Sequence, residues 1–366
     1  MNEMLKKIRE TRRQLSSIAP PLADSITDVV VILGSSRSGS TLLHKIISSH
    51  PEINSLPGEE QTYFNLFGYQ NSVDDRLQNI EINYEDLACE MLYDIGSKPE
   101  GISSNEIIRR ILLQWPEHLY DLTNNHFSDV NQAIKLLNLP LHFYENQLGT
   151  HSDFQHQHTI IEEPPFIFPT KINRFVKNER NILLLKSSSN SYRMDHLLKI
   201  FPRARYHYIL LKRDYKQVIN GLYDGWQSSG FHSHYFPNFL NISDYPSHSW
   251  WKFDLPPNWE NYINHNLIDI CAFQWKSNYE YILNFLSNNE FYSINYDDFF
   301  DLDTLNQKLN IIFEKLNITY QHHASLPQAM TTYPPQKDRW KEKAALIQQI
   351  SSQKIYQEFN NEILNF

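Results

Sequence analysis

The chain is short of cysteine and of long apolar runs, and each shortage excludes a class of protein. Cys89 and Cys271 are the only cysteines in 366 residues, and they lack the close spacing of a disulfide framework or a zinc site. This usage is typical of a reducing compartment. No segment approaches the roughly 20 apolar residues of a membrane span. We therefore expect a cytoplasmic protein without a membrane partner.

Positive charge is also scarce. The net charge is −9, and no basic stripe alternates with aromatic residues, so nucleic acid is not an expected partner. The first 15 residues are charged and predicted to be helical. No apolar core follows their basic residues, so they do not resemble a signal peptide.

Near-continuous apolar runs alternate with helical patterns along the chain. The runs are Val29–Leu33, Ile182–Leu185, Tyr206–Leu211 and Phe291–Ile294. Strands of this kind are typical of a parallel sheet that is covered on both faces. We predict a single α/β domain over residues 1–366, with three layers (α, β, α) and a central, mainly parallel sheet.

Three segments are predicted to extend this domain. Residues 1–25 form an amino-terminal helical extension. Residues 70–178 form an inserted helical cap, with helices that start near Ser103 and Ser128. Residues 230–261 are rich in aromatic residues and proline and are predicted to be a long loop, a kind of segment that is usually functional in compact domains.

Glycine is scarce as well, and half of the ten glycines lie in two short segments. Gly34 and Gly39 follow the first apolar run, and Gly221, Gly225 and Gly230 follow the third. Since glycine permits backbone conformations that other residues avoid, both segments are candidates for a binding site.

The first of these segments, Gly34–Thr41, reads GSSRSGST and lies between an apolar strand and a helical pattern. It has the frame of a phosphate-binding P-loop, GxxxxGK[ST], with Ser40 in place of the lysine. Such a turn directs backbone N–H groups and a helix N-terminus at one point, where they bind anionic oxygens. Arg37 supplies the missing positive charge, and Ser40 and Thr41 add hydroxyls. The alternative is an ordinary serine-rich turn.

Two further cations lie at the ends of predicted strands. Lys186 ends the second apolar run, and Arg213 follows the third. An enzyme that hydrolyses nucleoside triphosphates would instead place an aspartate there to hold Mg²⁺. The pattern therefore indicates a ligand with several anionic groups and no required metal. Asp214 is predicted to cap the next helix.

These residues resemble the sulfotransferases that use 3′-phosphoadenosine 5′-phosphosulfate (PAPS). The family's loop [KR]SGTT[LW], which binds the 5′-phosphosulfate, is matched by Arg37–Leu42. The resemblance implies that the donor is bound by Ser36, Arg37, Ser38, Gly39, Ser40, Thr41 and Leu42.

A second family element, a strand that runs into R-D-P, implies that Arg213 binds the 3′-phosphate. The chain departs from the pattern at Tyr215, which replaces the proline, and at Gly221, where many members have a phosphate-binding serine. Asn220 or Ser228 are possible substitutes for that serine.

The resemblance also implies catalytic residues. Lys186 matches a lysine near the sulfuryl group, but Ser188 stands where cytosolic members have a catalytic histidine. His50–Glu60 is similar to a segment that carries a catalytic glutamate in protein-tyrosine and bacterial carbohydrate sulfotransferases. Glu59 and Glu60 both match that glutamate, and their alternative is a solvated pair at the start of a helix over residues 61–67. His44 and His50 are lesser candidates for the base.

Two later segments are similar to parts of the family's nucleotide site. Tyr296 belongs to a segment like the family's YEDL element and either lines the site or is a core residue. Lys337 and Arg339 lie in a segment like the late loop that closes over the nucleotide, and the alternative is a solvated basic turn.

The resemblance thus implies transfer of a sulfuryl group from PAPS to a hydroxyl or amine, with 3′-phosphoadenosine 5′-phosphate (PAP) as the product and no metal. Glu59 or Glu60 is the expected base, and Arg37 and Lys186 stabilise the transferring and leaving oxygens. The aromatic segment looks more like those of bacterial natural-product sulfotransferases than like those of the cytosolic animal enzymes.

We expect a small-molecule acceptor held between aromatic walls formed by residues 230–261, Tyr63, Phe64 and Phe67, or else these aromatics close the core. A homodimer is possible. The competing functions are a P-loop kinase or hydrolase, and a non-catalytic nucleotide-binding protein on the same fold.

Overall fold

The structure, a computed structural model, describes residues 2–16, 23–56, 58–69, 82–95, 179–227, 231, 233–236, 238–327 and 336–366. Its strands are β1 (Ile26–Leu33), β2 (Ile53–Ser55), β3 (Asn181–Lys186), β4 (Arg205–Lys212), β5 (Ser233–Tyr235), β6 (Trp250–Lys252) and β7 (Phe291–Asn295). Its α-helices are α1 (Asn2–Gln14), α2 (Ser40–Ser48), α3 (Glu60–Leu66), α4 (Tyr84–Tyr93), α5 (Met194–Ile200), α6 (Tyr215–Gln227), α7 (Leu267–Leu286), α8 (Leu302–Lys315), α9 (Ala344–Ser351) and α10 (Lys354–Asn365).

Five of these strands form one sheet in the order β2-β3-β1-β4-β7, and every pairing in it is parallel. The four apolar runs identified in the sequence are strands β1, β3, β4 and β7. The central strand β1 pairs on both sides, with Val29 opposite Leu183 and Tyr206. The predicted parallel sheet is therefore confirmed.

Both faces of the sheet are buried. Val29 and Val31 pack into a core with α3 to α7, whereas Val30 and Ile32 pack into a second core with α2 and α8. Because alternate side chains of a strand point to opposite faces, β1 contributes to both cores and must be apolar throughout. The arrangement is the predicted three-layer α/β/α fold.

The predicted helical cap, residues 70–178, is described only at residues 82–95. There α4 begins after Asn83, whose side chain accepts a hydrogen bond from the backbone N–H of Asp86. The helix starts expected near Ser103 and Ser128 lie outside the described residues.

The amino-terminal helix α1 is bound to α4 through a buried arginine. Arg12 forms ion pairs with Glu90 at 3.3 Å and Asp94 at 2.7 Å, and all three side chains are at most 1% exposed. Leu5 and Ile8 on the same helix lie in the core. The helix is therefore packed against the domain.

The aromatic segment 230–261, predicted as a loop, contains the antiparallel pair β5–β6 and a 3-10 helix at Trp259–Tyr262. Trp251 and Trp259 are buried with their ring centroids 5.1 Å apart. Most of its described aromatics therefore close a core, which was the alternative to an acceptor wall. Among the helices of the described ranges, none has the length and apolar character needed to cross a membrane.

Candidate functional site

The glycine loop joins β1 to α2 at the carboxyl edge of the sheet. Its backbone is left-handed at Arg37 (φ 67°) and at Gly39 (φ 101°). A Cβ on Gly39 would lie 2.9 Å from the ring of Tyr296, so glycine is required there. The hydroxyl of Ser38 is buried without a hydrogen-bond partner within the described structure. With the unpaired N–H groups that begin any helix, here α2, these features make an anion-binding loop.

Two arginines lie beside this loop. Arg213 donates from Nη1 to the backbone oxygen of Arg37 at 2.6 Å, and its guanidinium lies 3.6 Å from the ring centroid of Tyr296. Burial, together with the nearby charges of Arg37 and Arg339, lowers the pKa of Arg213 to about 10, while Tyr296 opposes the shift. The side chain remains charged at neutral pH.

Neither arginine is neutralised by a carboxylate within the part of the chain that the structure describes. Arg37 lies 4.6 Å from the ring centroid of Phe231, and Arg213 is hydrogen-bonded to Gln217. Two neighbouring cations without a carboxylate partner favour binding of an anion. The structure thus brings together Arg37, Arg213 and Tyr296, as the resemblance implied.

Gly221, on α6, supports the position of Arg37. A Cβ on Gly221 would lie 3.1 Å from the Cβ of Arg37, so the absence of a side chain lets the arginine approach the helix. The neighbouring Asn220 is 3% exposed, and its Oδ1 has no hydrogen-bond partner within the described ranges. Ser228, the other proposed substitute for the missing serine, lies outside the described residues.

The carboxy-terminal basic segment reaches α6. Arg339 and Lys343 both form ion pairs with Asp224, one helical turn after Asn220. The charge of Arg37 contributes, after burial, to lowering the pKa of Arg339, so the two guanidinium groups lie near each other. Lys337 is exposed and lies 5.0 Å from the ring centroid of Phe300. Of the two predicted residues, the structure therefore brings only Arg339 beside α6.

The paired glutamates have different environments. The carboxylate of Glu59 forms an ion pair with Lys186 Nζ, and its side chain is 21% exposed. The carboxylate of Glu60 accepts from the backbone N–H of Lys186 at 2.6 Å and from Asn190 Nδ2 at 3.1 Å, and the residue is 1% exposed. Burial raises the pKa of Glu60 to about 7.

Sequence reasoning missed Asn190 and Arg193, which lie beside Glu60. Arg193 donates to Gln61 and to Asn190 Oδ1, and it lies 4.1 Å from the ring centroid of Phe64. Since Asn190 in turn donates to Glu60, this buried network holds α3 against the end of β3. None of these residues belongs to a motif, so the sequence carried no signal for them.

His50 is structural by its contacts. The ring nitrogens of His50 are engaged, Nε2 with the backbone oxygen of Thr319 at 2.9 Å and Nδ1 with the backbone N–H of Glu52 at 3.2 Å. His44 is half-buried on α2, and the side chain of Leu42 lies in a core cluster. No group of three or more histidine, cysteine or acidic residues is placed to hold a metal in the described ranges.

A second carboxylate reaches the glycine loop from the aromatic segment. Asp254, 4% exposed, accepts hydrogen bonds from Ser188 at 2.8 Å and Ser189 at 2.6 Å through Oδ1, and from Ser36 at 3.2 Å through Oδ2. No sequence pattern indicates this contact, because Asp254 is 66 residues from Ser188.

Comparison with known proteins identifies the family of the chain. The sequence profile of the sulfotransferase family matches residues 29–302. No curated protein matches the chain significantly. The sulfotransferase domain from the curacin biosynthetic pathway is 16% identical over 92% of this chain and 98% of its own, with a TM-score of 0.40.

Two further solved structures are similar at the same level. The sulfotransferase domain of the Synechococcus PCC 7002 olefin synthase is 14% identical over 89% of this chain and 95% of its own, with a TM-score of 0.36. A sulfotransferase from Alicyclobacillus acidocaldarius is 11% identical over 89% and 96%, with a TM-score of 0.35. Likeness at this level assigns no substrate. The family profile covers most of the chain, from β1 to the start of α8, and on that match the chain belongs to the sulfotransferase family.

Proposed function

We propose that the chain transfers the sulfuryl group of PAPS to a hydroxyl or amine of a small-molecule acceptor. The observation that carries the proposal is the pair Arg37 and Arg213, which lies beside the glycine loop without a carboxylate partner among the described residues. Two half-buried guanidinium groups next to each other are costly unless a ligand supplies negative charge. PAPS carries such charge at two places, the phosphosulfate and the 3′-phosphate.

The residues present fit the two anionic ends of this donor. The unpartnered hydroxyl of Ser38 and the left-handed backbone at Gly39 suit the phosphosulfate, as does the start of α2. Arg213 and Arg339 suit the 3′-phosphate, because a guanidinium binds phosphate oxygens through two parallel hydrogen bonds. The ring of Tyr296 packs against the guanidinium of Arg213 and holds it in place.

We assign the base to Glu59. Its carboxylate is partly exposed at the end of β3, whereas that of Glu60 is enclosed by Lys186 and Asn190. A base must reach the acceptor's proton, which favours the exposed group. Glu60 then serves as a positioning residue that holds α3, and with it Glu59, against β3.

In this reaction the acceptor's oxygen or nitrogen forms a bond to sulfur while the bond between sulfur and the phosphate oxygen breaks. The acceptor's proton passes to Glu59, and the electron pair of the broken bond stays on the phosphate oxygen. When Glu59 becomes neutral, Lys186 stabilises the charge that grows on the leaving oxygen. Arg37 acts on the same group.

A kinase or hydrolase is the competing function, and it is disfavoured by two residues. Ser40 occupies the P-loop lysine position, and β3 ends in Lys186 rather than in an aspartate that would hold Mg²⁺.

Isothermal titration with PAP, and separately with ATP and Mg²⁺, tests the proposal. We expect PAP to bind without added metal, and Arg213→Ala to weaken binding at least about 30-fold, since a buried charge-assisted contact contributes about 2 kcal/mol or more. Arg205→Ala is the matched control, because this arginine is largely exposed at the opposite end of β4 and should leave PAP affinity unchanged. Binding of ATP with Mg²⁺ alone would refute the proposal.

A further inference from the structure

Asp254 makes contacts that its place in the aromatic segment does not require. Its carboxylate joins Ser36 of the glycine loop to Ser188 and Ser189, which follow the end of β3. The hydroxyl oxygens of Ser36 and Ser188 are also 2.7 Å apart. In the described structure Asp254 forms no ion pair, so its charge is stabilised by hydrogen bonds from hydroxyl groups.

Three side chains hold the backbone around Asp254. Trp251 Nε1 donates to the Asp254 backbone oxygen at 2.9 Å, and Gln274 Nε2 donates to the same oxygen at 2.9 Å. His234 Nε2 is hydrogen-bonded to the backbone oxygen of Phe253 at 3.0 Å. These contacts fix the direction in which the Asp254 side chain leaves the chain.

Backbone strain precedes Asp254 directly. Phe253 has a φ of 63°, a left-handed conformation that is unfavourable for a bulky side chain. Its ring packs so closely on α6 that a Cβ on Gly225 would lie 2.3 Å from Phe253 Cζ. Strain of this kind persists where the surrounding structure enforces it, and it concentrates at ligand-binding and active sites.

We propose that Asp254 forms the acceptor side of the transfer site and, together with the hydroxyls of Ser36 and Ser188, receives the acceptor through its hydroxyl or ammonium group. The inference rests on the proposed function and specifies its substrate class: the acceptor presents a hydrogen-bond donor, and it carries no anionic group next to the reacting atom.

Charge and hydrogen-bond direction both support this class. Ser188 donates its one hydroxyl proton to Asp254, and even where its oxygen accepts from Ser36 a second lone pair remains to accept a hydrogen bond from the acceptor. A second carboxylate, that of Glu59, lies at the same end of β3. Glu59 is paired with Lys186, whereas Asp254 has no ion pair among the described residues, so Asp254 attracts a cationic acceptor and repels an anionic one.

The test compares PAPS with PAP, since only PAPS places a sulfonate at the transfer end of the site. Asp254→Asn removes one negative charge there, and we expect the affinity for PAPS to rise about 3- to 10-fold relative to that for PAP. Hydrolysis of PAPS, in which water replaces the acceptor, should fall at least about 10-fold, because the serine hydroxyls lose their fixed orientation. Asp244→Asn is the control, since Asp244 lies in the same segment and accepts from the backbone N–H of Leu267.

The outcomes separate this inference from the proposed function. Failure of the wild-type protein to bind either nucleotide refutes the proposed function and this inference with it. Binding by the wild type, with equal changes in PAPS and PAP affinity in Asp254→Asn, shows that Asp254 only braces the loop.

If Asp254→Asn does not fold, Ser188→Ala decides the question. The inference then requires hydrolysis of PAPS to fall about fivefold or more with both affinities unchanged, and unchanged hydrolysis overturns it.

Discussion

Asp28 and Glu60 are both buried carboxylates beside the parallel sheet, one near the amino ends of its strands and one at the carboxyl edge. Asp28 accepts from Arg180 at 2.7 Å and from His207 at 3.0 Å, and these contacts lower its pKa against the effect of burial. Glu60 accepts only uncharged hydrogen-bond donors, the Lys186 backbone and Asn190, and burial raises its pKa to about 7.

The two ends of the sheet differ in whether their charged groups are paired within the protein. At the amino end, opposite charges meet and stabilise the fold. At the carboxyl edge, Arg37 and Arg213 lack carboxylate partners in the described ranges, and Glu60 lacks a direct ion pair there. Groups left in this state are ready to interact with a ligand, which is typical of functional sites.

The largest expected effect is on activity at the carboxyl edge, and it comes from Glu59→Gln. Loss of the base should lower sulfuryl transfer from PAPS about 10²- to 10⁴-fold while PAP affinity changes little. The rate is measured as release of PAP from PAPS, and affinity is measured by titration. If Glu60→Gln abolishes transfer and Glu59→Gln does not, the assignment of the base is wrong.

A smaller effect, on stability rather than on activity, is expected at the amino end. Asp28→Asn removes the buried partner of Arg180 and His207 and should lower the free energy of unfolding by about 3 kcal/mol at neutral pH. The affinity for PAP should not change. Urea unfolding followed by circular dichroism measures the first quantity, and a loss of PAP affinity in the folded variant would contradict the separation of the two ends.

The contributions of Asp28 and Glu60 to the free energy of unfolding depend on pH in opposite ways. The lowered pKa of Asp28 means that its contribution to stability is present above 3.8 and is lost as the pH falls toward the folded-state pKa. The raised pKa of Glu60 means that the folded state retains a proton between 4.5 and about 7, so stability falls as the pH rises through that window. Asp28→Asn should therefore flatten the acid limb of the stability curve, and Glu60→Gln should flatten its fall toward neutral pH.

The smallest expected effect tests the packing of Arg37 on α6. Gly221→Ser places a Cβ 3.1 Å from that of Arg37 and should displace the arginine, which lowers PAP affinity about 3- to 10-fold. Gly68→Ser is a control for a glycine remote from the loop, although its φ of 80° predicts some loss of stability. If Gly221→Ser tightens PAP binding, a serine hydroxyl there contributes more than the position of Arg37.

Much of the fold was predictable because it depends on local patterns. The apolar runs identified β1, β3, β4 and β7, and continuous apolar character indicated a parallel sheet covered on both faces. The aromatic segment was predicted to be a long loop, and the structure adds to it the short strands β5 and β6, which depend on the packing of Trp251 and its neighbours. Short strands of this kind carry no periodic signal in the sequence.

The candidate site divides in the same way. The sequence by itself determined the glycine loop, Arg37, Arg213 and the paired glutamates, because contiguous motifs specify their own backbone geometry. Only the tertiary structure separated Glu59 from Glu60, since their difference is set by Lys186 and Asn190, more than 100 residues away in the chain. It also decided the place of Asp254, because a hydrogen bond between distant segments depends on how the whole chain packs rather than on any local pattern.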